Sequence, residues 1–261
     1  MNFDELVSVP IGQLETANRR HLAIIGASGS GKTTWAVKAD DALVLVAEKQ
    51  AIGRIQETNP NARVLVVDSI SKIRDIYKWL IKEVFPGGTP RKKGWVPKYI
   101  VLDSLTEICR FKQDELSGDD KDWTFRTWKK YEDGCMRLFR NFRDLPVTLI
   151  ATCLDEVHEG NEGTMGLRRM DVGKKKMAPK VAGLFDCVFW METKERTGDE
   201  SGTVHAIRTE GGSYQGFKLE QGKGHPSLEK WLDASEFTPK HIISTMAKYT
   251  KSKIAETKGA K

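Results

Sequence analysis

Residues Gly26-Ala27-Ser28-Gly29-Ser30-Gly31-Lys32-Thr33 hold three glycines, a lysine and a hydroxyl at the spacing G-x-x-x-x-G-K-[ST]. Glycines let a backbone wrap closely around phosphates with its N–H groups turned inward. Lys32 supplies a point charge for the outer phosphates, and Thr33, followed by Thr34, supplies a hydroxyl suited to a divalent cation. A helix starting near Gly31 would add its positive end to the same spot. The chemistry expected is the binding of ATP with Mg2+, with Gly26 to Thr34 as the binding segment.

Two carboxylates can complete such a site. Tyr99-Ile-Val-Leu-Asp103 is an apolar run ending in an acid, as a carboxylate on the metal side of the phosphates requires. Val64-Leu-Val-Val-Asp68 has the same form, but Ser104-Leu-Thr-Glu107 after Asp103 reads as a helix start, which favours Asp103. Cleavage of the terminal phosphate also needs a group to orient water. Glu48 closes the apolar run Ala42–Ala47 and is expected to emerge at the same sheet edge. The expected catalytic set is Glu48, Lys32 and Asp103, with Thr33 and Asp103 at the metal.

The elements that must position these groups follow from apolar periodicity. Strands are expected at 21–26, 42–47, 63–67, 98–102, 147–153, 187–191 and 204–208. Helical patterns cover 71–84, 104–116 and 123–143; in the last, Trp128, Tyr131, Cys135, Leu138, Phe139 and Phe142 share a face. Continuous apolar strands alternating with helices predict an α/β fold, a mostly parallel sheet covered on both faces. The last two strands, joined by a Gly/Asp-rich turn at 197–202, predict an antiparallel hairpin at one edge. Residues 154–180 show no period and read as a long functional loop. The division expected is an N-terminal segment 1–20, a nucleotide-binding core 21–232 and a basic C-terminal helix or tail 233–261.

The 261 residues carry a net charge of +6, and the excess is local. Residues 168–180 hold Arg168, Arg169, Lys174, Lys175, Lys176 and Lys180 against Asp171, and 240–261 hold six lysines against Glu256. The rest is net acidic, a distribution that suits a polyanion contact. Trp95 beside Arg91, Lys92 and Lys93, and Trp123 and Phe125 near Arg126, Lys129 and Lys130, are candidate stacking platforms for single strands. Cys109, Cys135, Cys153 and Cys187 are scattered singly, which suggests reduced thiols in a cytoplasmic protein. No signal peptide or membrane-spanning run is seen.

The strand and phosphate loop, Ala47-Glu48, Ile100-Val-Leu-Asp103-Ser-Leu-Thr106 and Val147-Thr-Leu-Ile-Ala-Thr-Cys153 come in the order of a RecA-like P-loop ATPase core. Met177-Ala-Pro-Lys-Val-Ala-Gly-Leu-Phe-Asp186 before a hairpin is similar to bacteriophage AAA-type ATP-binding proteins, some of them Sak-type single-strand annealing recombinases. The resemblance implies that Glu48 activates water and that a polar γ-phosphate sensor stands at the end of the 147–153 strand. Relatives have Gln or His there, whereas this chain offers Thr152 and Cys153. It further implies that 154–180, with Arg168, Arg169, Lys174, Lys175 and Lys176, contacts single-stranded DNA. A homo-oligomeric ring or filament would bring Lys180, Arg196 or Arg208 to a neighbour's γ-phosphate, and a single-strand-binding protein is a further expected partner. The expected function is a DNA-stimulated, Mg2+-dependent ATPase of phage recombination or replication that anneals single strands. A nucleotide switch for packaging or helicase loading, and a small-molecule phosphotransferase, remain alternatives.

Overall fold

The computed structural model describes residues 19–117, 123–159, 165–196, 202–214 and 217–259. Residues 1–18 of the expected N-terminal segment, 118–122, and most of the expected turn at 197–202 lie outside the described residues.

Short, wholly apolar runs form the central strands because both their faces are covered. In chain order, β1 (Leu22–Gly26), α1 (Lys32–Ala36), β2 (Ala42–Val46), α2 (Ala51–Thr58) and β3 (Arg63–Val66) come first. They are followed by α3 (Ile70–Trp79), which runs into a π-helical turn at Leu80–Val84, and by β4 (Tyr99–Asp103), α4 (Leu105–Ser117) and α5 (Phe125–Arg143). Ser69 and Thr124 cap α3 and α5 by accepting from the amides of Lys72 and Thr127, contacts worth about 1 kcal/mol each. The remaining elements are β5 (Thr148–His158), β6 (Gly166–Met170), α6 (Ala178–Ala182), β7 (Cys187–Arg196), β8 (Gly202–Arg208), β9 (Gly212–Tyr214), β10 (Phe217–Leu219), β11 (Trp231–Asp233) and α7 (Pro239–Gly259).

The main sheet has the order β11-β8-β7-β1-β5-β4-β2-β3. From β7 to β3 its neighbours are parallel, while β8 and β11 complete one edge in antiparallel fashion. This is the expected α/β arrangement with an antiparallel hairpin at one edge. One face packs on α3, α4, α5 and α6 through residues such as Ile73, Ile108, Tyr131, Phe139 and Val181. The other packs on α1, α2 and α7 through Trp35, Ile55, Ile242 and Met246. Burying each such side chain stabilises the fold by roughly 1.5–3 kcal/mol.

Of the segment expected as an irregular loop at 154–180, residues 160–164 lie outside the described residues and the rest is built. The outer half of β5 pairs antiparallel with β6, Glu156 lying opposite Arg169 and Asp155 opposite Met170. Beyond it a turn at Asp171–Gly173 is fastened to the helices, where Thr106 donates to the Asp171 carbonyl and Tyr131 to that of Val172. Sequence periodicity missed the ribbon because its ladder is ionic: Arg168 pairs with Asp155 and Arg169 with Glu156.

Register sets the geometry of the sheet edge. Gly26 at the end of β1 lies beside Leu154 of β5, and Ile25 beside Trp190 of β7. Both neighbours continue beyond β1, to His158 and Arg196. The glycine-rich loop therefore starts in a trough between two projecting hairpin stems.

Candidate functional site

The trough holds a cavity of about 280 Å3 lined by Ser28, Gly29, Gly31, Lys32, Thr33 and Thr34, with Glu48, Asp103 and Thr152 across from them. Parallel register brings these together: Val46 pairs with Asp103, so Glu48 stands just past the end of β2, and Leu102 pairs with Ala151, which sets Thr152 beside Asp103. Gly26 is required by close approach, since a Cβ there would come within 2.5 Å of the Met191 carbonyl oxygen on β7. Gly31, at φ 97°, turns the chain into α1 under the His205 ring. The helix is short and ends at Ala36.

Lys32 is buried, and its ammonium donates to the carbonyls of Gly26 (2.8 Å) and Ala27 (2.7 Å) and to Ser30 Oγ (3.4 Å). Burial lowers its pKa, while the charges of Asp155, Cys153, Asp103 and Glu48 oppose that shift. Asp103, 5% exposed, accepts from the Thr33 hydroxyl at 3.0 and 3.1 Å and from the Thr152 hydroxyl. Burial raises its pKa, and these hydroxyls and Lys32 pull it back. A carboxylate and a hydroxyl meeting at the rim of a phosphate-sized cavity form a hard-oxygen donor set. That set fits Mg2+, which takes few protein ligands and completes its shell with phosphate and water. Thr33 and Asp103 are the residues that would hold it.

Other expected site residues are placed unequally. Glu48 is half-exposed at the cavity rim and accepts from Gln50 at 3.1 Å. Asp68 sits exposed at the end of β3, paired with Lys72. Thr152 faces the cavity, but Cys153, one residue on, points to the opposite face. It is fully buried there against Thr106 and the Asp171 carbonyl, with its thiol pKa pushed up by burial to about 12. Of the two, Thr152 alone lines the cavity.

Several expected basic contacts are already engaged. Arg169 is buried and Arg168 partly buried in their β5 ion pairs, and Lys174 and Lys180 both bind Glu132 of α5. Lys175 and Lys176 remain exposed, with no ion pair among the described residues. Arg208 is buried, donates to the Gly211 carbonyl and lies over the Trp231 ring, so it is not presented to a neighbour. Arg196 closes β7 opposite Gly202, and its side chain lies outside the described part. Trp123 packs on Trp128 and Tyr131, and Trp95 lies under Arg63; Phe125 alone of the three aromatics is largely exposed, at 85%.

Sequence reasoning missed Arg54 on α2 and His205 on β8, both of which line the cavity. His205 was legible in part: the wholly apolar run at 187–191 marks β7 as a covered strand, which carries its hairpin partner to the phosphate loop.

The fold and the site define a P-loop nucleotide-binding ATPase domain. Residues 18–234 match the family profile of an AAA domain, and the chain belongs to that family. No curated protein matches the sequence. Among solved structures it is similar to a KaiC-like protein from the hyperthermophilic archaeon Pyrococcus horikoshii OT3, at 14% identity over 82% of this chain and 84% of that one, with a TM-score of 0.41.

Proposed function

We propose that the protein hydrolyses ATP with Mg2+ and couples turnover to single-stranded DNA. The observation that carries the first part is the convergence of Lys32, Thr33, Asp103 and Glu48 on one cavity. Lys32 neutralises the outer phosphates, Thr33 and Asp103 hold the cation, and Glu48 orients the attacking water at the open rim. Bound there, Mg2+ would draw charge from the phosphate oxygens and favour departure of the leaving group. Thr152 holds Asp103 in place from the neighbouring strand.

The DNA part rests on charge. Lys175 and Lys176, at the turn beyond the β5–β6 ribbon, and the exposed Lys248 and Lys251 of α7 offer sequence-independent contacts to a phosphate backbone. In this reading the protein serves phage recombination or replication by annealing strands in the host cytoplasm, as a ring or filament, alongside a single-strand-binding protein. Lys180, exposed although paired with Glu132, is the candidate for a contact between subunits. The test is ATP hydrolysis with and without single-stranded DNA at two salt concentrations. Stimulation by DNA that fades with salt, and loss of turnover by at least about 100-fold in Lys32→Ala, is the expected result. Turnover indifferent to DNA would remove the DNA coupling, and nucleotide binding without turnover would make the protein a switch.

A further inference from the structure

A charge on a helix surface is commonly answered by its opposite three or four residues away. Arg54 pairs with Glu57 on α2, Lys78 with Asp75 on α3, Arg110 with Glu107 on α4 and Lys253 with Glu256 on α7. Helix α5 departs from this habit. It holds six cations against two acids. Arg126, Lys129, Lys130, Arg137 and Arg140 are exposed, and none of them forms an ion pair among the described residues. Glu132 is already taken by Lys174 and Lys180, and Asp133 stays exposed without an ion pair among the described residues. The five cations fall at helical spacing, in one row opposite the buried Tyr131, Cys135, Leu138, Phe139 and Phe142. Nothing in the fold calls for that row. The first turn contains Arg126 and no acid, against the preference of a helix N-terminus, and like charges one turn apart repel. The helix is held by its apolar face and by the Thr124 cap. A row that opposes local stability and is left unneutralised is a surface kept for an anionic partner.

The place and form of the row indicate which anion. Its upper end reaches the turn beyond the β5–β6 ribbon: Tyr131 donates to the Val172 carbonyl at 2.6 Å, and Glu132 draws in Lys174 and Lys180. The exposed Lys175 and Lys176 follow Lys174 directly. Its lower end leads through 144–147 into the start of β5, at the sheet edge opposite the phosphate loop. A single strand bends freely and is held by stacking as much as by charge. No aromatic stands in the row, Phe125 preceding it at the helix start. A duplex is stiff and carries one charge per about 1.7 Å of its axis. A packed, straight helix spans about 21 Å from Arg126 to Arg140, the length of about six base pairs.

We propose that the outer face of α5 binds the backbone of duplex DNA, the product of strand annealing, beside the single-strand contacts at Lys175 and Lys176. The proposal rests on the DNA-binding reading above. Annealing yields a stiff duplex without unstacked bases, and the row holds it by phosphate contacts that carry no sequence information. Fluorescence anisotropy with a 20-base-pair duplex and with one of its strands, across a salt series, tests it. The variant Lys130→Gln/Arg137→Gln/Arg140→Gln removes three charges from the row. Duplex affinity is expected to fall at least about tenfold, and the slope of its logarithm against that of salt by about 2.7. Single-strand affinity and DNA-free ATP turnover should stay within about twofold of the parent. The thermal midpoint should hold or rise, since repulsion is relieved; a fall would make the row a structural feature and overturn the proposal. Unchanged duplex affinity would overturn it too, as would equal loss of both DNA forms, which would make α5 part of the single-strand contact. Loss of poly-glutamate binding with duplex affinity intact would give the row to an acidic protein instead. A parent that binds the single strand but no duplex would remove the duplex surface and leave the single-strand reading standing. A parent that binds neither would remove both.

Discussion

Asp103 shows what the proposed metal-side carboxylate costs in stability. Its carboxylate is buried, and the two threonine hydroxyls and Lys32 oppose the desolvation that raises its pKa without reversing it. Such a charge destabilises the empty protein and becomes useful once a cation arrives. Asp103→Asn keeps the size and one acceptor oxygen and removes the charge. It is expected to raise the thermal midpoint of the cation-free protein, by about 1 kcal/mol in stability, while reducing Mg2+-dependent turnover at least about 100-fold. Scanning calorimetry without Mg2+ and an ATPase assay check the two halves, and a lowered midpoint would show that the charge is already compensated. That Lys32 and the acid at 103 would meet at one cavity was legible, because a glycine-rich turn after one strand and an acid ending another mark the same sheet edge. The choice between Thr152 and Cys153 was not, because which of two successive strand residues faces the site depends on the pleat and on how β4 and β5 align.

Among the elements, the β5–β6 ribbon departs furthest from its sequence expectation. The central strands announced themselves as apolar runs covered on both faces, and α5 by its three- and four-residue steps. The ribbon carries Asp155, Glu156, Arg168 and Arg169 where an apolar alternation would reveal a strand, so it read as a loop with exposed arginines. The consequence is testable. Arg169, with a side chain 5% exposed, contacts Glu156 and His158. Arg169→Ala is expected to cost about 1 kcal/mol, a value discounted because Glu156 is partly solvated. It should speed hydrogen exchange at the amides of 155–158 and 167–170 and leave DNA affinity unchanged. Lys175→Ala with Lys176→Ala should do the opposite, weakening DNA binding and flattening its dependence on salt. A large loss of DNA binding in Arg169→Ala, with exchange unaltered, would return the arginine to the role its sequence suggested.

At the scale of the molecule, one sheet divides two cores and connects the site to groups far from it. His21, at the base of β1, accepts from the Leu149 amide through Nδ1 at 3.1 Å, while its own amide donates to Asp186. Burial lowers the pKa of its imidazole below the ordinary 6.5, although Asp186 partly resists. The unfolded chain therefore takes up a proton that the native state refuses. This contribution to stability is complete above pH 6.5 and is lost as pH falls through the lower native pKa. Thermal midpoints at pH 7.5 and 5.5 should show the decline, and His21→Gln should flatten that part of it. The second core carries a different consequence, in the order of synthesis. The Trp35 indole, two residues past Thr33, donates to the Phe237 carbonyl at 2.7 Å across 202 residues of chain, and Ile242 and Met246 join Leu22 and Ile24 in one cluster. A chain emerging from the ribosome presents its phosphate loop long before the segment that closes the core beneath it. Until Phe237 to Met246 has emerged, the nascent protein exposes an unfinished apolar seat to chaperones, and maturation of the nucleotide site waits on a segment made about 200 residues after its own phosphate loop.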